Sequence, residues 1–333
     1  MPSEGNAIGA SIGSYLASDR IACVYMQNSG LGNAINPLTS ICAKSVYNIP
    51  VILIVGHRGK TNINFIDEPQ HKFMGQVTKK ILSSIKIKHV SINNKTKITD
   101  IEKYLKSAIE KKSSLCFLVE RNSFSDGKKD ENKVKKKENL YEVNRKLFFE
   151  IFINYKNKND LIISSTGYNS RELYLNKISN KISTDNDFYC IGGMGHTFSI
   201  SSILAHKIKK RVFCIDGDGS ILMHLGSLSN IKNIKSSNFI HFCLNNNSHE
   251  SVGGQRITNT ELQFTKIAKH LGFEKTIMIA NKKQLLNFFK KMSRLKGKIF
   301  VSVKTSNINN ILPRPKKKPI HYKKKFMEQI GER

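Results

Sequence analysis

The sequence predicts an α/β protein built as two doubly wound, parallel-sheet domains. Three observations carry this expectation. Short apolar runs of strand length alternate with helix-like segments along most of the chain. The alternation is interrupted once, by the charged stretch SFSDGKKDENKVKKKEN that ends at Asn139. And 333 residues are enough for two domains, each with its own core.

Taken in order, residues 5–18 are small and apolar, as in a helix packed closely on a sheet, and Ile21 to Gln27 reads as a strand. A glycine loop, Asn28-Ser29-Gly30-Leu31-Gly32-Asn33, follows, and Asn36 is expected to cap a helix with Pro37 in its first turn. Pro50 to Val55, Ile87 to Val90 and Leu115 to Val119 read as strands, with a helix over Thr99 to Lys112. Beyond the charged stretch, a helix over Leu140 to Tyr155 leads into six further strands. These are Leu161 to Ser165, Phe188 to Ile191, Val212 to Ile215, Phe239 to Leu244, Thr276 to Ile279 and Ile299 to Val303. The expected divisions are a first domain over 1–120, a linker over 121–139, a second domain over 140–312 and a basic tail over 313–333. Prolines at 313, 315 and 319 keep the start of that tail out of regular structure, so it is expected to lie extended along its own domain.

Composition excludes several classes. No apolar run approaches the length of a membrane span, and no signal-like core follows the N-terminus, so a cytoplasmic protein with no membrane partner is expected. Six scattered cysteines without a Cys-x-x-Cys pair read as buried thiols in a reducing compartment. A formal charge of +30 fits a nucleic-acid partner, but Lys runs through the whole chain together with Asn and Ile, which is the pattern of a solvated lysine-rich surface. No nucleic-acid partner is therefore expected.

The densest chemistry lies between Val212 and Gln255. One apolar run stops at Asp216-Gly217-Asp218-Gly219-Ser220 and the next at Asn245-Asn246-Asn247. In a parallel sheet both turns fall at the carboxyl ends of strands, where open α/β sheets bind ligands. A carboxylate beside an amide oxygen suits a hard cation such as Mg²⁺, whose remaining positions go to ligand phosphates, and the flanking glycines admit those phosphates to the backbone. An EF-hand is excluded because Ile221 stands where that loop needs Gly. A P-loop at Gly59-Lys60-Thr61 fails because Ile54 holds the place of its first Gly, and a dinucleotide fingerprint at Gly193-Met194-Gly195 fails at Phe198.

Gly217-Asp218-Gly219-Ser220 followed by Asn245-Asn246 resembles the metal and diphosphate signature of thiamine-diphosphate-dependent enzymes. The continuation His249-Glu250-Ser251-Val252-Gly253-Gly254-Gln255 is similar to phosphonopyruvate decarboxylases, with sulfopyruvate decarboxylases next to them. The resemblance implies a pyrimidine-binding and a diphosphate-binding domain with no middle domain, and thiamine diphosphate and Mg²⁺ as cofactors. Asp218 would ligate the metal. Aligning on the Asn pair adds Asn246 and the Ser248 carbonyl, whereas counting from Asp218 adds Asn245; the pair at a strand end is taken as the anchor. Thr166, Gly167, Gly217, Gly219 and Ser220 would receive the diphosphate, Gly192 the aminopyrimidine, and Met194 would keep the cofactor bent.

In the first domain, Pro2-Ser3-Glu4-Gly5-Asn6-Ala7 resembles the segment whose glutamate hydrogen-bonds N1′ of the aminopyrimidine, which assigns Glu4 that role. Arg58 and His71 would bind the substrate, and His249 and Glu250 would serve the proton steps. The relatives carry a strand, a helix and a loop before this glutamate, so the first domain is expected to be N-terminally incomplete, with unpaired backbone groups. The implied reaction is nonoxidative decarboxylation of 3-phosphonopyruvate to phosphonoacetaldehyde and CO₂. The implied assembly is a homodimer or homotetramer with active sites between subunits. The alternatives are a sulfopyruvate or other 2-oxo acid decarboxylase, and a noncatalytic remnant.

Overall fold

A computed structural model describes residues 1–59, 67, 69–124, 141–308, 310 and 312–331. Most of the charged linker, and Lys60 and Thr61, lie outside the described residues. The chain divides into two units, Met1–Lys133 and Val134–Arg333.

In the first unit, α1 (Glu4–Ser18), β1 (Cys23–Gln27), α2 (Leu31–Ser40), β2 (Ile52–Gly56), α3 (Pro69–Ser84), β3 (Lys88–Ile92), α4 (Ile98–Glu110) and β4 (Leu115–Val119) follow one another. The strands are parallel, in the order β1-β2-β4-β3, and pair without a gap. Residues two apart on a strand face the same way, and the core follows that period. Leu53 and Val55 pack with Ile8, Leu31 and Leu82 from α1, α2 and α3, while Ile52 joins Ala108 of α4 on the other face. β1 is an edge, and its Tyr25 is 77% exposed.

The helix expected to start at Asn36 starts at Leu31 instead, directly after a 3-10 turn over Asn28–Gly30, and Pro37 lies inside it. The missing proline N–H leaves the carbonyl of Asn33, four residues back, without its usual donor. That oxygen lies against Gly5, where a Cβ would come within 2.8 Å of it. Gly5 thus lets α1 and α2 approach closely.

In the second unit come α5 (Arg145–Tyr155), β5 (Leu161–Ser164), α6 (Tyr168–Ser179), β6 (Asp187–Tyr189), α7 (Thr197–Lys207), β7 (Val212–Gly217) and α8 (Asp218–Met223). They are followed by β8 (Asn238–Asn245), α9 (Phe264–Leu271), β9 (Lys275–Ile279), α10 (Lys282–Met292), β10 (Gly297–Lys304) and α11 (Pro319–Ile330). All six strands read from the sequence are present, parallel, in the order β6-β5-β7-β8-β10-β9. The chain leaves β5 toward β6 and returns to β7 on the other side, so the carboxyl ends of β5 and β7 flank a topological switch point. One face packs Phe148, Phe149 and Phe152 of α5 and Phe289 of α10 on Phe213 and Phe242; the other packs Phe198 of α7 and Ala268 of α9 on Cys214, Phe239 and Phe300.

The tail read as extended is a helix over most of its length. Residues 312–318 have no helix or strand, and Pro319 then opens α11, a position where its missing N–H costs nothing. Tyr322 and Phe326 are buried, 5.2 Å and 5.8 Å between ring centres from Tyr189 and Phe188, so α11 packs along the edge strand β6.

Candidate active site

A cleft open to solvent lies at the switch point of the second unit. Its lining comes from the ends of four strands: Ser165 and Thr166 after β5, Gly217 to Ser220 after β7, Asn246 and Ser248 after β8, and Thr305 and Ser306 after β10. Met194, His249 and Glu250 complete much of the rest.

Asp218, the first residue of α8, is 2% exposed. Its Oδ1 accepts from the N–H of Gly219 at 2.7 Å and its Oδ2 from that of Asn247 at 2.6 Å. Burial pushes the carboxyl up to about 7 against the pull of those two N–H groups and of the Lys304 charge, and the side chain makes no ion-pair contact among the described residues. A carboxylate buried without a cation in contact is suited to receiving one. Hard oxygen donors, namely the Asp218 carboxylate, the Asn246 amide and the Ser248 carbonyl, fit Mg²⁺.

The two amide candidates are distinguished by position. Asn246 lines the cleft, whereas Asn245 is buried outside its lining, with Oδ1 accepting from the Asn247 N–H at 3.3 Å, the same donor that serves Asp218. Asn247 has a left-handed backbone, φ 57°, which Asn tolerates better than other residues with a Cβ. This third Asn of the triplet turns its N–H onto Asp218, a part that sequence reasoning missed. The loop then closes on itself, His249 N–H donating to Gln255 O at 2.7 Å and Ser248 Oγ to Gly254 O at 3.1 Å.

Three glycines make room for this loop and its neighbours. A Cβ on Gly219 would sit 2.7 Å from Nδ1 of His249, so the imidazole lies directly on that glycine. Burial lowers the pKa of His249. Gly167, at φ 89°, precedes α6 and touches Ser251. Gly195, at φ 90°, donates its N–H to Ser220 Oγ at 3.0 Å, tying the Gly192 to Gly195 turn to the start of α8. Thr166 and Met194 line the cleft; Gly167 and Gly192 lie in the turns beside it.

Glu250, expected to serve the proton steps, is held by three donors. Its oxygens accept from Arg145 Nη1 at 2.6 Å, Asn246 Nδ2 at 3.1 Å and the Ile308 N–H at 2.7 Å. Every one of these contacts is a donor to it, so the carboxylate pins the loop.

In the first unit, Glu4 opens α1, capped by Ser3, and its Oε2 accepts from Asn33 Nδ2 at 2.9 Å. Its side chain lies on Gly30, where a Cβ would fall 2.4 Å from the Glu4 carboxyl carbon. Asn28 is fully buried and binds the Arg58 carbonyl at 2.9 Å and Thr78 Oγ1 at 3.0 Å, which joins the glycine loop to α3. Arg58 already has a partner for its fork. Asp67 takes Nη2 at 2.5 Å and Nε at 3.3 Å, so a substrate anion would have to share this guanidinium. His71 is buried in α3.

Behind the cleft, Cys214, Asp216 and His241 bring one ligand atom each within 4.8 Å of one another, all buried. His241 stacks on Phe198 at 5.5 Å with Nε2 3.8 Å from Asp216. This is the packing of an aromatic core residue beside a buried carboxylate. No helix among the described residues is long and apolar enough to cross a membrane.

Comparison with known proteins defines the class. Residues 172–303 match the C-terminal TPP binding domain of thiamine pyrophosphate enzymes, and residues 1–84 match their N-terminal TPP binding domain. The chain belongs to the thiamine pyrophosphate enzyme family. Within it, the chain is 29% identical over 283 residues to the phosphonopyruvate decarboxylase of Streptomyces viridochromogenes, an alignment spanning 81% of this chain and 69% of that one. It is 34% identical over 173 residues to the sulfopyruvate decarboxylase subunit beta of Methanocaldococcus jannaschii, 51% of this chain and 88% of that one. The sulfopyruvate decarboxylase of Methanosarcina acetivorans aligns at 24% identity over 98% of this chain and 86% of its own length.

Proposed function

We propose that this protein is a thiamine-diphosphate- and Mg²⁺-dependent decarboxylase of a 2-oxo acid bearing a second anionic group, with 3-phosphonopyruvate as substrate and phosphonoacetaldehyde and CO₂ as products. The observation that carries the reading is Asp218, a buried carboxylate with no cation in contact among the described residues, at a switch-point cleft walled by glycines and by the start of α6. Similarity to phosphonopyruvate decarboxylase over most of the chain supports the choice of substrate.

Asp218, Asn246 and the Ser248 carbonyl would hold Mg²⁺. Thr166 and the N–H groups opening α6 would receive diphosphate oxygens, as helix N-termini do for anions. Bound thiamine diphosphate supplies a carbon nucleophile and takes up the electron pair released with CO₂. Glu4, held by Asn33 against Gly30, is the carboxylate that would polarise the pyrimidine. His249, resting on Gly219 at the cleft, is the group positioned to carry protons to and from the reacting carbon. The active assembly is a homodimer or homotetramer in which the Glu4 of one subunit serves the Asp218 cleft of another.

Sulfopyruvate is the second reading, favoured by the 98% span of the Methanosarcina relative. The test is aldehyde formation from phosphonopyruvate, sulfopyruvate and pyruvate by the full chain with thiamine diphosphate and Mg²⁺. The highest kcat/KM is expected with phosphonopyruvate, lost in Glu4→Gln and Asp218→Ala. Preference for sulfopyruvate would move the assignment to the second reading, and no turnover of any of the three by a folded chain would sink both.

A further inference from the structure

Arg145 has no part in the chemistry above, yet it lines the cleft at 5% exposure. It is the first residue of α5, and Asn144 caps that helix by accepting from the Leu147 N–H. Its Nη1 donates to Glu250, its Nε stands 3.6 Å from Glu172 Oε2, and the guanidinium lies 4.9 Å from the centre of the Tyr168 ring. The buried Glu172 and the partly buried Glu250 therefore flank one cation.

What the arrangement does specify is the amide of Asn246. Its Nδ2 donates to Glu250 Oε2, the same oxygen that Arg145 holds, and its Oδ1 accepts from the Ser248 N–H at 3.1 Å. A carboxylate only accepts and a backbone N–H only donates, so these contacts fix which end of the amide is oxygen. An amide free to rotate by half a turn would offer a cation its NH₂.

We propose that Arg145 is a positioning residue: the series Glu172, Arg145, Glu250 holds the Asn246 side chain in the orientation that makes its oxygen, and not its NH₂, available to a divalent cation at Asp218. The proposal rests on the reading of the cleft as a cation site. Partners behind a metal ligand commonly contribute about 10–100-fold in metal affinity.

The probe is Mn²⁺, its free concentration read by electron paramagnetic resonance with the full chain and thiamine diphosphate. Asp218→Asn, tested first, is expected to abolish tight binding; if it binds like the wild type, the cation reading falls and takes the proposal with it. With that established, Glu250→Gln keeps the size of the side chain but removes the acceptor-only carboxylate, and the Mn²⁺ Kd is expected to rise about 10–100-fold, with Arg145→Met moving it in the same direction and Arg145→Lys less. Asn246→Asp offers two equivalent oxygens and needs no orienting, and Glu250→Gln removes the like charge beside the new carboxylate, so adding Glu250→Gln to it should raise Kd by less than about threefold, if at all. Two results overturn the proposal. One is Mn²⁺ binding by Glu250→Gln, or by a folded Arg145→Met, indistinguishable from wild type. The other is a loss in the Asn246→Asp background as large as in the wild type, which would mark general damage to the loop. Should Arg145→Met fail to fold, the Glu250→Gln pair of measurements still decides.

Discussion

At the scale of single residues, the site is a matter of what can approach what. Gly30 leaves Glu4 room to reach Asn33, and a Cβ at 2.4 Å from the carboxyl carbon would displace it. Gly30→Ala is therefore expected to reduce kcat/KM while the melting temperature changes little; wild-type turnover by Gly30→Ala would show that Glu4 does not depend on this gap for its placement. Asp218 makes a pH prediction. Its folded carboxyl, without a cation, sits at about 7 against an ordinary 3.8, so folding takes up a proton between those values. The sign follows: the raised group contributes stability below its unfolded value and loses it as pH rises toward 7, while a bound cation takes the place of the proton. The gain in melting temperature from Mg²⁺ with thiamine diphosphate should be small at pH 5.5 and large at pH 8, and that pH dependence should vanish in Asp218→Asn. Equal gains at the two pH values would dismiss Asp218 as the ligand. The place of Asp218, Gly219 and Ser220 at the carboxyl end of a strand was legible, because one apolar run stops there and the next stops at the Asn triplet. Arg145, Asn28 and the Asn247 N–H were not, because each acts through a partner distant in sequence: Arg145 meets Glu250 across 105 positions and Asn28 meets Thr78 across 50.

At the scale of elements, the strands could be read and some helix ends could not. Buried parallel strands are continuous apolar runs, and the inner strands β5, β7 and β8 come near that pattern, whereas the edge strands β6 and β9 are short or largely exposed. The start of α2 was missed because a capping Asn before Pro is a local signal, whereas Asn28–Gly30 forms a tight turn that feeds the helix earlier. The tail hid α11 because Lys323 to Lys325 mask a narrow apolar stripe carried mainly by Tyr322 and Phe326. The same edge of the sheet depends on a charge. Lys177 of α6 and Asp187 of β6 are both fully buried, 2.5 Å apart, with Tyr189 donating to Asp187 at 2.8 Å. Removing one member leaves the other buried and unpaired, at a cost of about 3–5 kcal/mol. Asp187→Asn should lower the melting temperature by roughly 6 °C or more, and adding Lys177→Met should recover part of the loss. If the double variant is the less stable of the two, the pair is not what holds α6 to β6.

At the scale of the whole molecule, the +30 charge and the two units raise the question of how Glu4 and Asp218 come to act together. Neither the periodicity of the strands nor the motifs define an assembly, because subunit contacts leave no local pattern in a sequence. If the sites lie between subunits, as we propose, each site takes Glu4 from one chain and Asp218 from the other. Glu4→Gln and Asp218→Ala homodimers are then both inactive. Dissociated, mixed in equal amounts and reassembled, they should form hybrids in half of the dimers, each hybrid having one site with both lesions and one with none. Activity should return to about a quarter of the wild type in a two-fold symmetric dimer. Sites built within one chain give no such recovery, since every chain in the mixture carries a lesion. A mixture that stays inactive while a size measurement shows hybrids present would put both residues in the same subunit.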